Sequence, residues 1–113
     1  MINAVHSILY APDAQAARAF FADVLGLESV DAGDGWLIFA LPPAELAVHP
    51  APSASHELYL MTDDIRATLD ALRAKDVTVI AEPAEERWGS VARIEVPGFG
   101  SLGIYEPYHP VPR

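Results

Sequence analysis

The sequence contains no cysteine. That excludes disulfides, zinc ribbons, thiol nucleophiles and iron–sulfur clusters. Basic residues are scarce: seven Lys and Arg stand against sixteen Asp and Glu, a formal net charge of −9. So acidic a surface repels nucleic acid and anionic membranes and mildly favours cationic ligands; it also serves plain solubility. No run of about twenty apolar residues occurs, so no segment is expected to cross a bilayer. The opening stretch, MINAVHSILYAPD, lacks a basic start and a small-residue cleavage site, which predicts a cytoplasmic protein. There is no Gly-Lys-Ser/Thr phosphate loop. None of the serines stands in a nucleophile-elbow context, so covalent catalysis is not expected.

What the chain does have is apolar content. Hydrophobic residues make up 51% of its 113 positions, enough for one domain with a packed core and too few positions for two. Residues 4–11 alternate, with His6, Ile8 and Tyr10 on one face, and predict a strand. Asp13 is placed to cap a helix over 14–25, whose Ala17, Phe20, Phe21 and Val24 share a stripe and whose end is marked by Gly26. Strands are expected over 28–32, 36–41 and 45–49, with a Gly33-Asp34-Gly35 turn between the first two. Pro50 to Ser55 reads as a linker.

Then the pattern restarts. Residues 57–62 predict a strand, and Asp63-Asp64 cap a helix to about Lys75 with Ile65, Leu69 and Leu72 on its apolar stripe. A strand over 77–81, a charged loop over 82–87, and strands over 88–96 and 102–106 follow. A shift of 51 positions places His6 on Glu57 and Asp13 on Asp64. The expected fold class is therefore α+β. Two βαβββ modules (residues 3–50 and 56–107, joined by a linker over 51–55 and followed by a tail over 108–113) form one curved mixed sheet around a concave cleft, helices outside. The whole of residues 1–113 is read as a single domain.

Four segments carry a resemblance: HSILYAPD, RAFFADVLGLE, ELYLMTDDI and WGSVARIEVPGFGSLGIYEP. In this order and spacing the chain resembles the vicinal-oxygen-chelate superfamily of glyoxalases, bleomycin-resistance proteins and extradiol dioxygenases, over roughly residues 4–107. In metal-using members the resemblance implies four ligands, on the first and last strand of each module. His6 and Glu57 fill two of those positions; Ala47 and Gly103 fall on the others and cannot ligate. A catalytic divalent cation needs about three protein ligands, so no cofactor is expected.

Two functional readings result. In the first, the cleft binds a small aromatic or cationic compound without a metal. Its lining would be His6, Tyr10, His49, Glu57, Tyr59, Met61 and Tyr105, with Trp36 and Trp88 at the rim or in the core, and Ala47 and Gly103 would leave extra room. In the second, a strand register shift brings Glu45 or His49 beside His6 and Glu57. A divalent metal then supports a lyase, isomerase or dioxygenase. His56 and His109 read as surface and tail residues. A homodimer is expected; whether the modules pair within one chain or between two stays open.

Overall fold

The computed structural model describes residues 6–45, 47, 49, 50 and 52–111. Helix α1 spans Ala14–Ala19 and runs into a wider turn over Phe20–Val24. The hairpin β1 (Ser29–Asp31) and β2 (Leu37–Phe39) comes next. Strand β3 (Tyr59–Met61), helix α2 (Ile65–Arg73) and strands β4 (Val79–Glu86), β5 (Gly89–Val96) and β6 (Gly100–Pro107) complete the order. The fold is α+β. β1 and β2 form a two-stranded sheet, and the other strands form a mixed sheet in the order β3-β6-β5-β4. Among the described residues no helix is long and apolar enough to cross a membrane.

Both helix starts follow from their caps. The carboxylates of Asp13 and Asp64 each accept a backbone N–H three residues on, at 3.0 Å. Glu106, on β6, accepts a further one from Ile65 at 2.9 Å, so two acidic side chains meet the positive end of α2. The stripe Ile65, Leu69 and Leu72 is buried against Ala92, Ile94 and Val96 of β5 and Leu102 and Ile104 of β6. Ala17 and Phe20 join the same core. In the wider turn after α1 Phe20 enters the core, while Phe21 packs against that core, meets the Phe20 ring edge-on at 5.8 Å and lies 5.9 Å from Phe39 of the hairpin. The side-chain ammonium of Lys75 closes that end by donating to the Val24 carbonyl at 3.0 Å.

Three expectations need correction. Residues 6–11 form no strand, and Ala4 and Val5 lie outside the described residues. Alternation fixes which side chains share a face but not whether a partner ladder exists. Glu45, Ala47 and His49 lie in no strand either; Leu46 and Val48 lie outside the described residues. Conversely, the expected charged loop over 82–87 is mostly strand. Ala84, Glu85 and Glu86 pair with Val91, Ser90 and Gly89, after register shifts that accommodate Pro83 at the sheet edge. In addition, Gly98 to Gly103 spells Gly-x-Gly-x-x-Gly, yet it joins two antiparallel strands and opens no helix, so it is no dinucleotide fingerprint.

The turn between β5 and β6 anchors the first half of the chain. The Asp13 N–H donates to the Gly98 carbonyl at 2.9 Å. Gly98 has φ +81°, and a Cβ there would run into the Asp13 backbone and come within 3.0 Å of the Ala16 Cβ. Gly98→Ala is therefore expected to destabilise the protein by about 2 kcal/mol, combining left-handed strain with the clash. Urea unfolding checks this; an unchanged midpoint would contradict it.

Candidate functional site

Pairing register puts two sets of side chains on opposite faces of the larger sheet. Leu60, Ile104 and Ala92 align on the face covered by the helices. Their neighbours point the other way: Tyr59 beside Gly103 and Arg93, and Met61 beside Tyr105 and Val91. The helix-free face thus holds four of the residues expected there, Tyr59, Met61, Gly103 and Tyr105.

Two glycines shape this face. A Cβ on Gly103 would collide with the ring of Tyr59, and one on Gly89 with the ring of Tyr105. Each tyrosine ring stands against the bare backbone of the adjoining strand, and both glycines are buried. This corrects one expectation: the room left by Gly103 is filled by Tyr59 and does not enlarge a cavity. The rings extend into a cluster. Tyr105 lies 6.3 Å from Tyr59, 5.6 Å from Trp88 and 5.8 Å from His109, all in edge-on or tilted contact.

Polar groups edge the cluster. The Tyr59 hydroxyl donates to Glu57 at 2.7 Å. That hydrogen bond, then burial and the Glu57 charge, hold the Tyr59 phenol above its ordinary range, with Arg93 opposing them. The Tyr105 hydroxyl donates to the Trp88 carbonyl at 3.2 Å; burial first, then the charge of Glu45, raises its phenol too. Arg93 donates to the hydroxyl and the carbonyl of Ser101. Alternation in β5 sets Arg93 opposite buried Ala92 and Ile94, so the strand period carries the signal for it. His109 had none, because a proline-rich tail does not reveal where it folds back.

The other expected lining residues stand elsewhere. His6, Ser7, Ile8, Tyr10 and His56 border an open hollow of about 370 Å³, with all five side chains exposed. His49 and Ala47 are exposed. Trp36 is 65% exposed on the hairpin side, with the Arg18 guanidinium 4.9 Å over its ring. Glu45 meets His109 at 3.4 Å. Among the described residues no three His, Asp or Glu side chains are grouped to hold a metal ion. Tyr59 fills the place beside Gly103, where the resemblance implies a ligand in metal-using members.

The raised tyrosines give a pH prediction. A group whose folded-state pKa exceeds its unfolded value contributes stability that is fully present below the ordinary 10.0 and lost as pH rises through the raised value. Stability should therefore fall above pH 10, and less steeply in Tyr59→Phe. Urea unfolding at several alkaline pH values, with tyrosinate absorbance read alongside, measures it; equal slopes in both proteins would contradict the Glu57–Tyr59 assignment.

The sequence matches the Glyoxalase/Bleomycin resistance protein/Dioxygenase superfamily over residues 3–108. No curated protein matches it. Among solved structures, it is similar to TnmS3, an antibiotic binding protein from Streptomyces sp. CB03234, with 24% identity, TM-score 0.65, and coverage of 95% of this chain and 99% of that one. A superfamily member from Sphaerobacter thermophilus DSM 20745 gives 21% identity and TM-score 0.65, covering 92% and 97%. Lactoylglutathione lyase from Agrobacterium tumefaciens gives 23% identity and TM-score 0.63, covering 92% and 93%. At such identities the structures establish a shared fold, and with the match over almost the whole sequence they show that this chain belongs to the glyoxalase/bleomycin resistance protein/dioxygenase superfamily.

Proposed function

We propose that the protein binds a small planar aromatic or cationic compound against the helix-free face of its larger sheet, without a metal and without transforming it. The observation that carries this reading is the contiguous wall of Tyr59, Tyr105 and Trp88 with the Glu57 carboxylate at its edge. Aromatic faces attract flat rings through stacking and cations through their quadrupole, and an adjacent carboxylate adds charge selectivity. Met61, on the same face, supplies an adaptable apolar surface. The absence of cysteine and of a serine in nucleophile context is in keeping with binding rather than covalent chemistry. The likeness to a structure described as an antibiotic binding protein supports the same reading.

The probe is proflavine, a planar aromatic cation, titrated calorimetrically before and after chelator treatment. Binding is expected in both cases with equal affinity. Glu57→Gln should weaken it by about 1 kcal/mol, the low end for a charged contact, because Glu57 is exposed and screened. Loss of binding after chelation, or an unchanged affinity in the variant, would contradict the metal-free reading or the role of Glu57 respectively.

A homodimer accompanies this reading. Its support is the apolar side chains that the first half leaves open, among them Val30 at 67% and Ile8 at 50% exposure. Sedimentation equilibrium should give twice the chain mass; a monomer at all concentrations would refute it.

A further inference from the structure

The C-terminal tail folds back over the aromatic wall. The Tyr108 N–H donates to the Trp88 carbonyl at 2.9 Å and its hydroxyl to Glu85 at 3.3 Å. This lays the His109 imidazole beside Tyr105, ring centres 5.8 Å apart and planes inclined by 39°. Its Nε2 stands 3.4 Å from Glu45 Oε2, and its Nδ1 stands 2.8 Å from the Pro110 carbonyl oxygen. Glu45 is drawn in with it. Its other oxygen, Oε1, is sealed from solvent and, among the described residues, receives no hydrogen bond. A buried acceptor without a donor costs free energy that a better-matched partner would recover.

The imidazole offers Glu45 a single nitrogen, because the second faces Pro110. A planar amidinium or guanidinium offers two parallel N–H donors, the spacing that engages both oxygens of one carboxylate. The same flat cation suits the face of Tyr105. We propose that Glu45 and Tyr105 form a subsite for a planar amidinium or guanidinium group, and that His109 occupies it as an internal stand-in until such a ligand displaces the tail. The orphaned Oε1 is what gives the ligand its advantage over the tail. This rests on the binding reading above and extends it by naming the charged group and the competitor.

Benzamidine and its uncharged isostere benzamide test it, with the Trp88 indole resonance followed by NMR in the full chain. Benzamidine should shift that resonance saturably and benzamide should bind more weakly. His109→Ala should tighten benzamidine binding by about threefold to tenfold, because a competing tail lowers apparent affinity by the fraction of open sites. Glu45→Gln should weaken it about tenfold or more while leaving benzamide unchanged. Thermal melts of both variants verify that they fold. The proposal is overturned if benzamidine gives no saturable shift at about 10 mM, if the two compounds bind equally, if Glu45→Gln changes nothing, or if His109→Ala weakens binding. If proflavine still binds while Glu45→Gln leaves benzamidine unaffected, the subsite fails and the wider binding reading stands; if proflavine fails as well, that reading falls too.

Discussion

The helix-free face depends on two tyrosine rings lying against two strands that have no side chain to hold them off. At Gly103 the Tyr59 ring takes the volume a Cβ would need; at Gly89 the Tyr105 ring shares that volume with the backbone of Glu106 and Pro107, and both glycines are buried. Glycine weakens a strand interior when left bare, and a neighbouring ring laid across it restores the lost cover. The same contact turns the phenols outward along the face. It brings Tyr59 to Glu57 and Tyr105 to Trp88 and His109. The aromatic wall is therefore a consequence of sheet packing.

The opposite face supplies the rigidity. Leu69, Ile94, Val96 and Leu102 are almost wholly buried, and they fix β5 and β6 beneath α2. Losing one such leucine to alanine typically costs about 2–5 kcal/mol. Because residues alternate along a strand, a backbone held firmly by its core side also holds the side chains of its open side. Among the described residues, the first half is tied on by the Asp13–Gly98 hydrogen bond, by Lys75 at Val24, by Glu45 at His109, and by Ala17 and Phe20 in the core with Ala11, Phe21, Val24 and Leu25 packed against it. Its apolar residues Val30, Trp36 and Leu41 remain open.

Much of this was legible in the sequence where the cause is local. Asp13 and Asp64 declared the helix starts, and the Ile65-Leu69-Leu72 stripe gave the face of α2. Alternation put Tyr59 on the Glu57 side of its strand and Tyr105 on the Gly103 side of its own, and the resemblance implied that these two sides form one face. The failures share a different cause. The charged run 82–86 became strand because β5 offered it a ladder, and pairing is not written in a segment's own composition. Gly103 read as empty space because the sequence does not say which neighbour leans over it. Glu45 and His109 meet across 64 positions, a juxtaposition only the folded tail reveals. His6 and Tyr10 carried the right pattern for a strand face, but the ladder that would make them one does not form over the described residues.

The central claim is that the aromatic wall is where a flat cationic molecule is held. Intermolecular nuclear Overhauser contacts between bound proflavine and the protein measure it most directly. The account predicts contacts to the rings of Tyr59, Tyr105 and Trp88. Contacts confined to the hollow around His6 and Tyr10, with none to those three rings, would contradict it.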